Sequence, residues 1–381
     1  MTDNPLHSSQ VPSRRRVRVG VIVNNVGGYS RGVVRGIASF AFSRAWVCRV
    51  EGINDSRILN NLKDYDGLIV QAATPTQARA LSRASIPAVN VSSALPLKQV
   101  PSVVSDDRLV GRVAADYLLR RGFRHFAYFS PDNRSFAKLR HEGLSQRLSE
   151  VSQSAELARD EPALRAILRR RREPIAIMGC NDRAGLTALD LCSQLGVKVP
   201  DEAAILGVDN DEMMQSLAFP GLSTVDTARQ RIGFEAAAML EQLIDRKPPT
   251  SNLVFVPPVG VITRQSTDTT AIADGDVAEA LRFIERHAGR PIGVTDVTRE
   301  LPLSRRQLER RFRQIVGRSV LDEIRRCRIE RAQQLLVNTE LTLKQVAIAS
   351  GFASTSYLSV VFHKRVGVTP MQYRARSAVS Q

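Results

Sequence analysis

Between residues 17 and 265, short runs of Val and Ile alternate with amphipathic stretches, and this alternation constrains the fold more than any single motif. Val17–Val23, Gly67–Val70, Ala88–Val91, Ala127–Ser130, Ile175–Met178 and Ala204–Val208 each read as a buried strand. Helical periodicity lies between them, as in Leu109–Arg121 and Arg183–Leu195. Apolar strands alternating with helices need crossover connections, and so form parallel sheets covered on both faces. Roughly 250 residues of this pattern is large for one sheet. Two doubly wound lobes facing across a cleft are expected, with a ligand beyond the carboxyl ends of the strands.

The alternation stops at Ser266, Thr267, Asp268, Thr269, Thr270 and Gly275, a polar stretch read as a linker over 265–276. Beyond it the strands vanish and helical periodicity runs to about Arg376. The expected organisation is a disordered tail (1–15), a two-lobed α/β domain (16–264), the linker, and an all-α domain (277–376). The last segment repeats itself at an offset of 50 residues: Ser304, Leu308, Phe312, Val316 and Gly317 recur as Ser354, Leu358, Phe362, Val366 and Gly367. Ser304 with Gln307 is a capping-box pattern. Leu308, Phe312, Ile315 and Val316 form one buried stripe. The second copy buries Tyr357, Leu358, Val361 and Phe362, and Tyr357 is expected in the core. Gly351 suits a tight turn, and Thr369-Pro370 opens a last helix.

Charge follows the same division. The chain carries 54 Lys and Arg against 38 Asp and Glu, a net +16. From Val277 onward the balance is 19 basic to 9 acidic, so about a quarter of the chain holds most of the excess. That segment is the candidate for nucleic acid. No apolar run approaches the ~18 residues of a membrane span, and no signal-like segment precedes the first strand. Cys48, Cys180, Cys192 and Cys327 lack metal-ligand or CxxC spacing and read as reduced cytosolic thiols. A cytoplasmic protein without metal, cofactor or membrane partner is expected.

Each repeat reads as helix, turn, helix: Thr295–Leu301 then Ser304–Val316, and Thr342–Ser350 then Ser354–Val366. Such a second helix fits the major groove and reads base edges from its exposed face. The candidate DNA-facing residues are Ser304, Arg305, Arg306, Glu309, Arg310 and Arg313 in the first copy. In the second they are Ser354, Thr355, Ser356, Ser359, Val360, His363 and Lys364. Val320–Val337 is an amphipathic spacer roughly 27 Å long, with Leu321, Ile324, Ala332, Leu335 and Leu336 on one face. Arg328 falls on that face and is expected in a structural ion pair. Gly351-Phe352, Ser356-Tyr357-Leu358, Phe362, Gly367-Val368-Thr369-Pro370 and Tyr373-Arg374 resemble the signature of AraC/XylS-type transcription regulators over about 100 residues. The resemblance implies two helix-turn-helix units in successive major grooves of double-stranded DNA. Val360 departs from it, standing where a basic residue is usual, and suits a thymine methyl.

The front half resembles the sugar-binding domain of LacI/GalR-type repressors and periplasmic sugar-binding proteins. Leu139-Arg140 with Gly143, Cys180-Asn181-Asp182 and Gly207-Val208-Asp209 carry the likeness. It implies that Arg140, Asn181 and Asp209 bond sugar hydroxyls, with Asp182 beside them; paired donors and acceptors are what a polyol needs. Tyr29 and Arg31, after the first strand, are placed by position to close the cleft from the other lobe. Taken singly, Asn181-Asp182 also fits a plain N-cap and Arg140 a surface ion pair. The stretch from Gly143 to Ile175 is shorter than in that family and carries Arg169 to Arg172, implying a trimmed strand or helix in the second lobe.

Gly28-Tyr29-Ser30-Arg31-Gly32 matches the G-x-S-x-G nucleophile elbow, the one enzyme signal. Only one strand precedes Ser30, and His125, His141, His287 and His363 lack a catalytic context, so an enzyme is not expected. The pairing of the two modules resembles that of bacterial xylose-type activators, and this resemblance implies a pentose-responsive activator acting as a homodimer and contacting RNA polymerase. A repressor is the nearest rival, and a DNA binder with a degenerate cleft a further one.

Overall fold

The structure, a computed structural model, describes residues 16–378 except 25–26, 53–56, 59–60, 96, 98–99, 269–273 and 340. The expected N-terminal tail and the middle of the expected linker lie outside the described residues. In chain order the front region holds β1 (Arg18–Val23), α1 (Gly28–Ser43), β2 (Val47–Gly52), β3 (Gly67–Val70), α2 (Pro75–Ser82), β4 (Ala88–Asn90), β5 (Ser102–Ser105), α3 (Asp107–Arg120), β6 (His125–Phe129) and α4 (Ser135–Ser149). It continues with β7 (Ala155–Ala158), α5 (Glu161–Arg170), β8 (Ile175–Gly179), α6 (Asp182–Gln194), β9 (Ala203–Val208), α7 (Glu212–Gln215), β10 (Ser223–Asp226), α8 (Arg229–Ile244), β11 (Leu253–Val256) and β12 (Gly260–Ile262).

These strands make two six-stranded sheets, ordered β11-β5-β4-β3-β1-β2 and β12-β10-β9-β8-β6-β7. The first is parallel throughout, with Val19 opposite Gly67 and Leu253 opposite Ser102. The second is parallel except at its edge, where β12 runs against β10 and Asp226 faces Gly260. The reason lies in the chain path. β10 ends where the chain leaves the second lobe, and β12 starts where it returns, so the two run along one line in opposite directions.

The chain passes between lobes at Ser105–Asp107, Asp226–Arg229 and Val256–Gly260, and the crossings are tied together. Asp106 N–H donates to Val256 O at 2.9 Å and Val259 N–H to Asp226 O at 2.9 Å. The central strands are covered on both faces, which is why they are rich in apolar residues: Val19, Val21, Ile69 and Val89 are buried in one lobe, Phe129, Ile177 and Leu206 in the other. The second lobe is not trimmed. β7 and α5 both stand between Gly143 and Ile175, with Asp160 capping α5 by accepting from Ala163 N–H at 2.8 Å. Of the arginine run, Arg170 pairs with Glu156 and Arg171 with Glu202.

The expected linker begins with a packed turn. Ser266 and Thr267 are fully buried. Ser266 Oγ donates to Ile205 O at 2.6 Å and Thr267 Oγ1 to Ser223 Oγ at 2.6 Å, so hydroxyls that suggested a solvated loop are satisfied inside the lobe.

The remaining elements are α9 (Gly275–His287), α10 (Val294–Arg299), α11 (Arg305–Val316), α12 (Val320–Asn338), α13 (Leu343–Ala349), α14 (Thr355–Val366) and α15 (Pro370–Ala378). They enclose two cores, one around Ile284, Val297, Leu308, Phe312 and Ile324, the other around Ile329, Val346, Leu358 and Phe362. The sequence repeat is thus two small helical units on the spacer α12. Gly351, at φ +75°, leads α13 into the turn; a Cβ there would lie 2.3 Å from Ala288 O.

Three expected core residues are surface ones: Ile315, Leu321 and Tyr357 are each more than a third exposed. Each unit packs through only two turns of helix, Leu308 with Phe312 and Leu358 with Phe362, so the flanking apolar positions extend past it. Tyr357 instead stands edge-on to Phe352 and accepts from Arg325 Nε at 3.2 Å. Arg328 is buried as expected, but its partners are carbonyls, not a carboxylate: Ile292 O at 2.7 Å and Arg290 O at 3.0 Å. It ties down the turn after α9, adding to the bond that Arg290 O already accepts from Ile292 N–H. Among the described residues no helix is long and apolar enough to cross a membrane, and no His, Cys, Asp and Glu cluster could hold a metal ion.

Candidate ligand cleft and nucleic-acid interface

The carboxyl ends of both sheets open on a cleft of about 740 Å³ between the lobes. Tyr29, Arg140, Asn181, Asp182 and Asp209 all line it; Arg31 does not. Arg140 is brought there by helix packing. α3 and α4 cross at Gly111 and Gly143, where an added Cβ would sit 1.9 Å from Arg140 O and 1.9 Å from Arg108 O respectively. That close crossing presses Arg140 against the start of α3. Its Nε donates to Asp107 Oδ1 at 2.8 Å, Nη1 to Cys180 O at 2.6 Å and Nη2 to Asp209 Oδ1 at 3.3 Å.

Burial works against a charged Arg140, and the carboxylates of Asp107 and Asp209 more than offset it, so its pKa rises. Burial in turn pushes Asp107 and Asp209 upward, opposed by Arg140. Asp209 and Asn210 both have positive φ, at 105° and 52°, where side chains are strained. Such strain clusters where a side chain must be aimed, and here it turns the Asp209 carboxylate to Arg140 at the end of β9.

Asn181 caps α6, its Oδ1 accepting from Ala184 N–H at 2.9 Å. Asp182 is buried and accepts from Thr224 Oγ1 at 2.6 Å and Asp211 N–H at 2.7 Å. Burial, with Asp209 close by, pushes its pKa up to about 7. Tyr29 Oη donates to Val91 O at 2.8 Å; burial and the nearby Asp107 and Asp209 raise its pKa. Arg31 reaches from α1 to Asp211 of the other lobe, and Arg35 to Glu212 at 3.4 Å. Arg31 is therefore a strut between lobes rather than part of the cleft wall.

Sequence reasoning missed Asp107, which also accepts from Ser93 Oγ at 2.5 Å across the lobes. The signal was present: Asp106-Asp107 stands between a strand and a helix just as Asn181-Asp182 does, and Asp106 caps α3 through Leu109 N–H. It also missed Phe136 on the cleft wall, with the Arg134 and Arg140 guanidinium carbons each 5.0 Å from its ring centre. Ser30 is buried and donates to Gln71 Oε1 at 2.7 Å, and among the described residues no histidine lines the cleft to serve the elbow motif as a base.

In the helical region Ser304, Thr342 and Ser354 cap α11, α13 and α14, accepting from Gln307, Gln345 and Tyr357 N–H. α11 and α14 end on Gly317 and Gly367. Arg305, Arg306, Arg310 and Arg313 are exposed on α11, Glu309 is half-buried among them, and no carboxylate among the described residues pairs with any of the four arginines. Arg305, Arg310 and Arg313 border a groove of about 590 Å³ between α11 and the start of α12. Arg311, on the opposite face, pairs with Asp274 and Asp276. Cations left unpaired on one face suit a polyanion. On α14, Ser354, Ser356, Val360, His363 and Lys364 are exposed, and Thr355 and Ser359 half-buried.

A family model for a periplasmic binding protein-like domain matches residues 115–267, and one for a helix-turn-helix domain matches 297–376. The xylose operon regulatory protein of Escherichia coli (strain K12) is 28% identical over 382 residues, spanning 94% of this chain and 97% of that protein. The HTH-type transcriptional activator RhaR of Enterobacter sp. (strain 638) is 46% identical over 74 residues, 19% of this chain and 26% of that one. The solved structure of the xylose-binding transcription activator xylR superposes with a TM-score of 0.60 at 25% identity, covering 95% of this chain and 98% of that chain. With the unpaired arginines of α11 and the two-lobed front region, these relationships make the chain a DNA-binding transcription regulator, not an enzyme, that joins a periplasmic-binding-protein-like domain to an AraC-type helix-turn-helix domain.

Proposed function

We propose that the chain is a cytoplasmic, sugar-responsive activator of pentose-utilisation genes, working as a homodimer that contacts RNA polymerase. The observation that carries the sugar reading is the floor of the cleft. Arg140 sits between two carboxylates, so donors and acceptors alternate over a few ångströms, the pattern that vicinal hydroxyls match. Phe136 and Tyr29 supply flat apolar faces on the wall. Arg140, Asn181 and Asp209 bond the sugar, and Asp182 fixes the loop that carries Asp209. The likeness to xylose-binding regulators over nearly the whole chain favours a pentose of the xylose type. α11 and α14 enter successive major grooves, with Arg306 and Arg310 reading bases and Arg305 and Arg313 holding phosphates.

A sugar entering the cleft favours the lobe arrangement that binds it better, and that difference in affinity is all it can transmit. Thermal unfolding of the purified protein against a panel of pentoses and hexoses tests this reading. A sugar at about 100 times its dissociation constant adds roughly 2.7 kcal/mol. A shift with one pentose supports the proposal and names the inducer. No shift with any sugar removes carbohydrate as the signal and leaves a regulator with another effector.

A further inference from the structure

The cleft and the DNA-binding domain are held at opposite ends of one helix. α3 starts at Asp107, which joins Arg140 of its own lobe to Ser93 of the other. Its 14 residues cover about 21 Å, and just past its end stands Arg121, 3% exposed. Arg121 Nε donates to Thr267 O at 2.7 Å, and Nη1 and Nη2 donate to Glu285 Oε1 and Oε2 at 2.9 and 3.0 Å. The guanidinium lies 4.2 Å from the centre of the Tyr117 ring, and Tyr117 Oη is bonded to Thr267 Oγ1 at 2.5 Å. Thr267 is the last residue of the buried turn before the inter-domain segment, and Glu285 lies on α9 beyond it. One side chain thus grips the chain on both sides of that segment.

The neighbouring bonds point the same way. Arg120 faces Glu330 of α12 at 3.6 Å, and Gln334 Nε2 of α12 donates to Val261 O of β12 at 3.1 Å. α3 and β12 both belong to the second lobe. From α9 the path continues to the DNA-facing helix, because Asp274, which caps α9, holds Arg311 of α11 at 2.7 Å.

We propose that Arg121 is a positioning residue that fixes the DNA-binding domain to the second lobe, and that α3 carries the state of the cleft to it. The coupling rests on the reading of the cleft as the sugar site; the clamp does not. A carboxylate–guanidinium pair that is bidentate and mostly buried fixes orientation as well as distance, so a change at Asp107 reaches α9 through α3 and this pair.

The test compares full-length wild type with Arg121→Met, Glu285→Gln and the charge swap Arg121→Glu with Glu285→Arg. The DNA probe is a duplex enriched on the wild-type protein, and the sugar probe is D-xylose. Three quantities are read: amide hydrogen exchange in α9 without sugar, D-xylose affinity by calorimetry, and the ratio of duplex affinities with and without saturating D-xylose. Arg121→Met and Glu285→Gln speed exchange in α9 while the cores of both lobes stay protected, and they leave D-xylose affinity at the wild-type value. The duplex-affinity ratio, of the order of 5–150-fold for an allosteric protein, falls to within about twofold of unity, and the charge swap restores part of it. Unchanged exchange in α9 overturns the clamp whatever the sugar does. Faster exchange with an unchanged affinity ratio overturns α3 as the route. If wild type binds no D-xylose, the assignment to xylose fails by itself and the clamp is judged on the exchange alone.

Discussion

Arg140 Nη2 and Asp209 Oδ1 lie 3.3 Å apart on the floor of the cleft, although 69 residues separate them in the chain. The arginine comes from a helix pressed inward by a glycine crossing, the aspartate from a strand end held at positive φ. The same arginine is held more closely by Asp107, so Asp209 has bonding capacity left for a ligand.

Replacing Asp209 with Ala therefore separates the two activities. Sugar affinity falls by about ten- to a hundredfold, the loss of one charge-assisted hydrogen bond of roughly 1.5–3 kcal/mol. Duplex binding without sugar stays at the wild-type level. Calorimetry with the inducing pentose and anisotropy with the duplex read the two separately; a collapse of both marks Asp209 as structural.

Arg306 and Arg310 are exposed on α11, with no carboxylate partner among the described residues. Replacing either with Ala costs about 1–3 kcal/mol of duplex affinity and relaxes the preference for guanine at one position. A uniform loss across all sequences, with a shallower salt dependence, assigns that residue to a phosphate instead.

Val360 is 66% exposed in the middle of α14. Val360→Lys adds a cation to the exposed face that carries Lys364. Affinity for unrelated duplexes rises, and the slope of log affinity against log salt steepens by about 0.9. If Val360 touches a thymine methyl, preference for that base pair weakens in the same variant.

Asp182 gives the fold a pH dependence whose sign follows from its burial. Burial raises its pKa from 3.8 to about 7 in the folded protein, so between those values the fold binds more protons than the unfolded chain. Its contribution to stability is favourable below that window and is lost as pH rises through it. Asp182→Asn flattens this part of the profile, which thermal unfolding across the window detects. A profile as steep as the wild type's assigns the slope to other groups.

Gly143 has room for no side chain: a Cβ would meet Arg108 O at 1.9 Å. Gly143→Ala forces α3 and α4 apart, destabilising the front domain by about 1–3 kcal/mol. It weakens sugar binding as well, because Arg140 withdraws from Asp209. Unfolding and calorimetry on the one variant connect packing to recognition.

Local patterns in the sequence determined most of the architecture. Strand runs such as Gly67–Val70 and caps such as Ser304 with Gln307 act over a few residues, so their geometry is written in adjacent side chains. The fifty-residue repeat pointed to both helix-turn-helix units because each needs the same cap, buried pair and terminal glycine. What only the tertiary structure decided involves partners far apart in the chain. Asp107 as the main holder of Arg140, Arg31 as a strut, Arg328 bonded to carbonyls, Tyr357 at the surface and Ser266 buried all depend on which element packs opposite. An isolated Asp, Arg or Ser reads alike in either setting, and the antiparallel edge strand β12 follows from the path of the chain between lobes. Hydrophobic period fixes which face of an element is buried; the burial and charge of its neighbours decide what a polar residue there does.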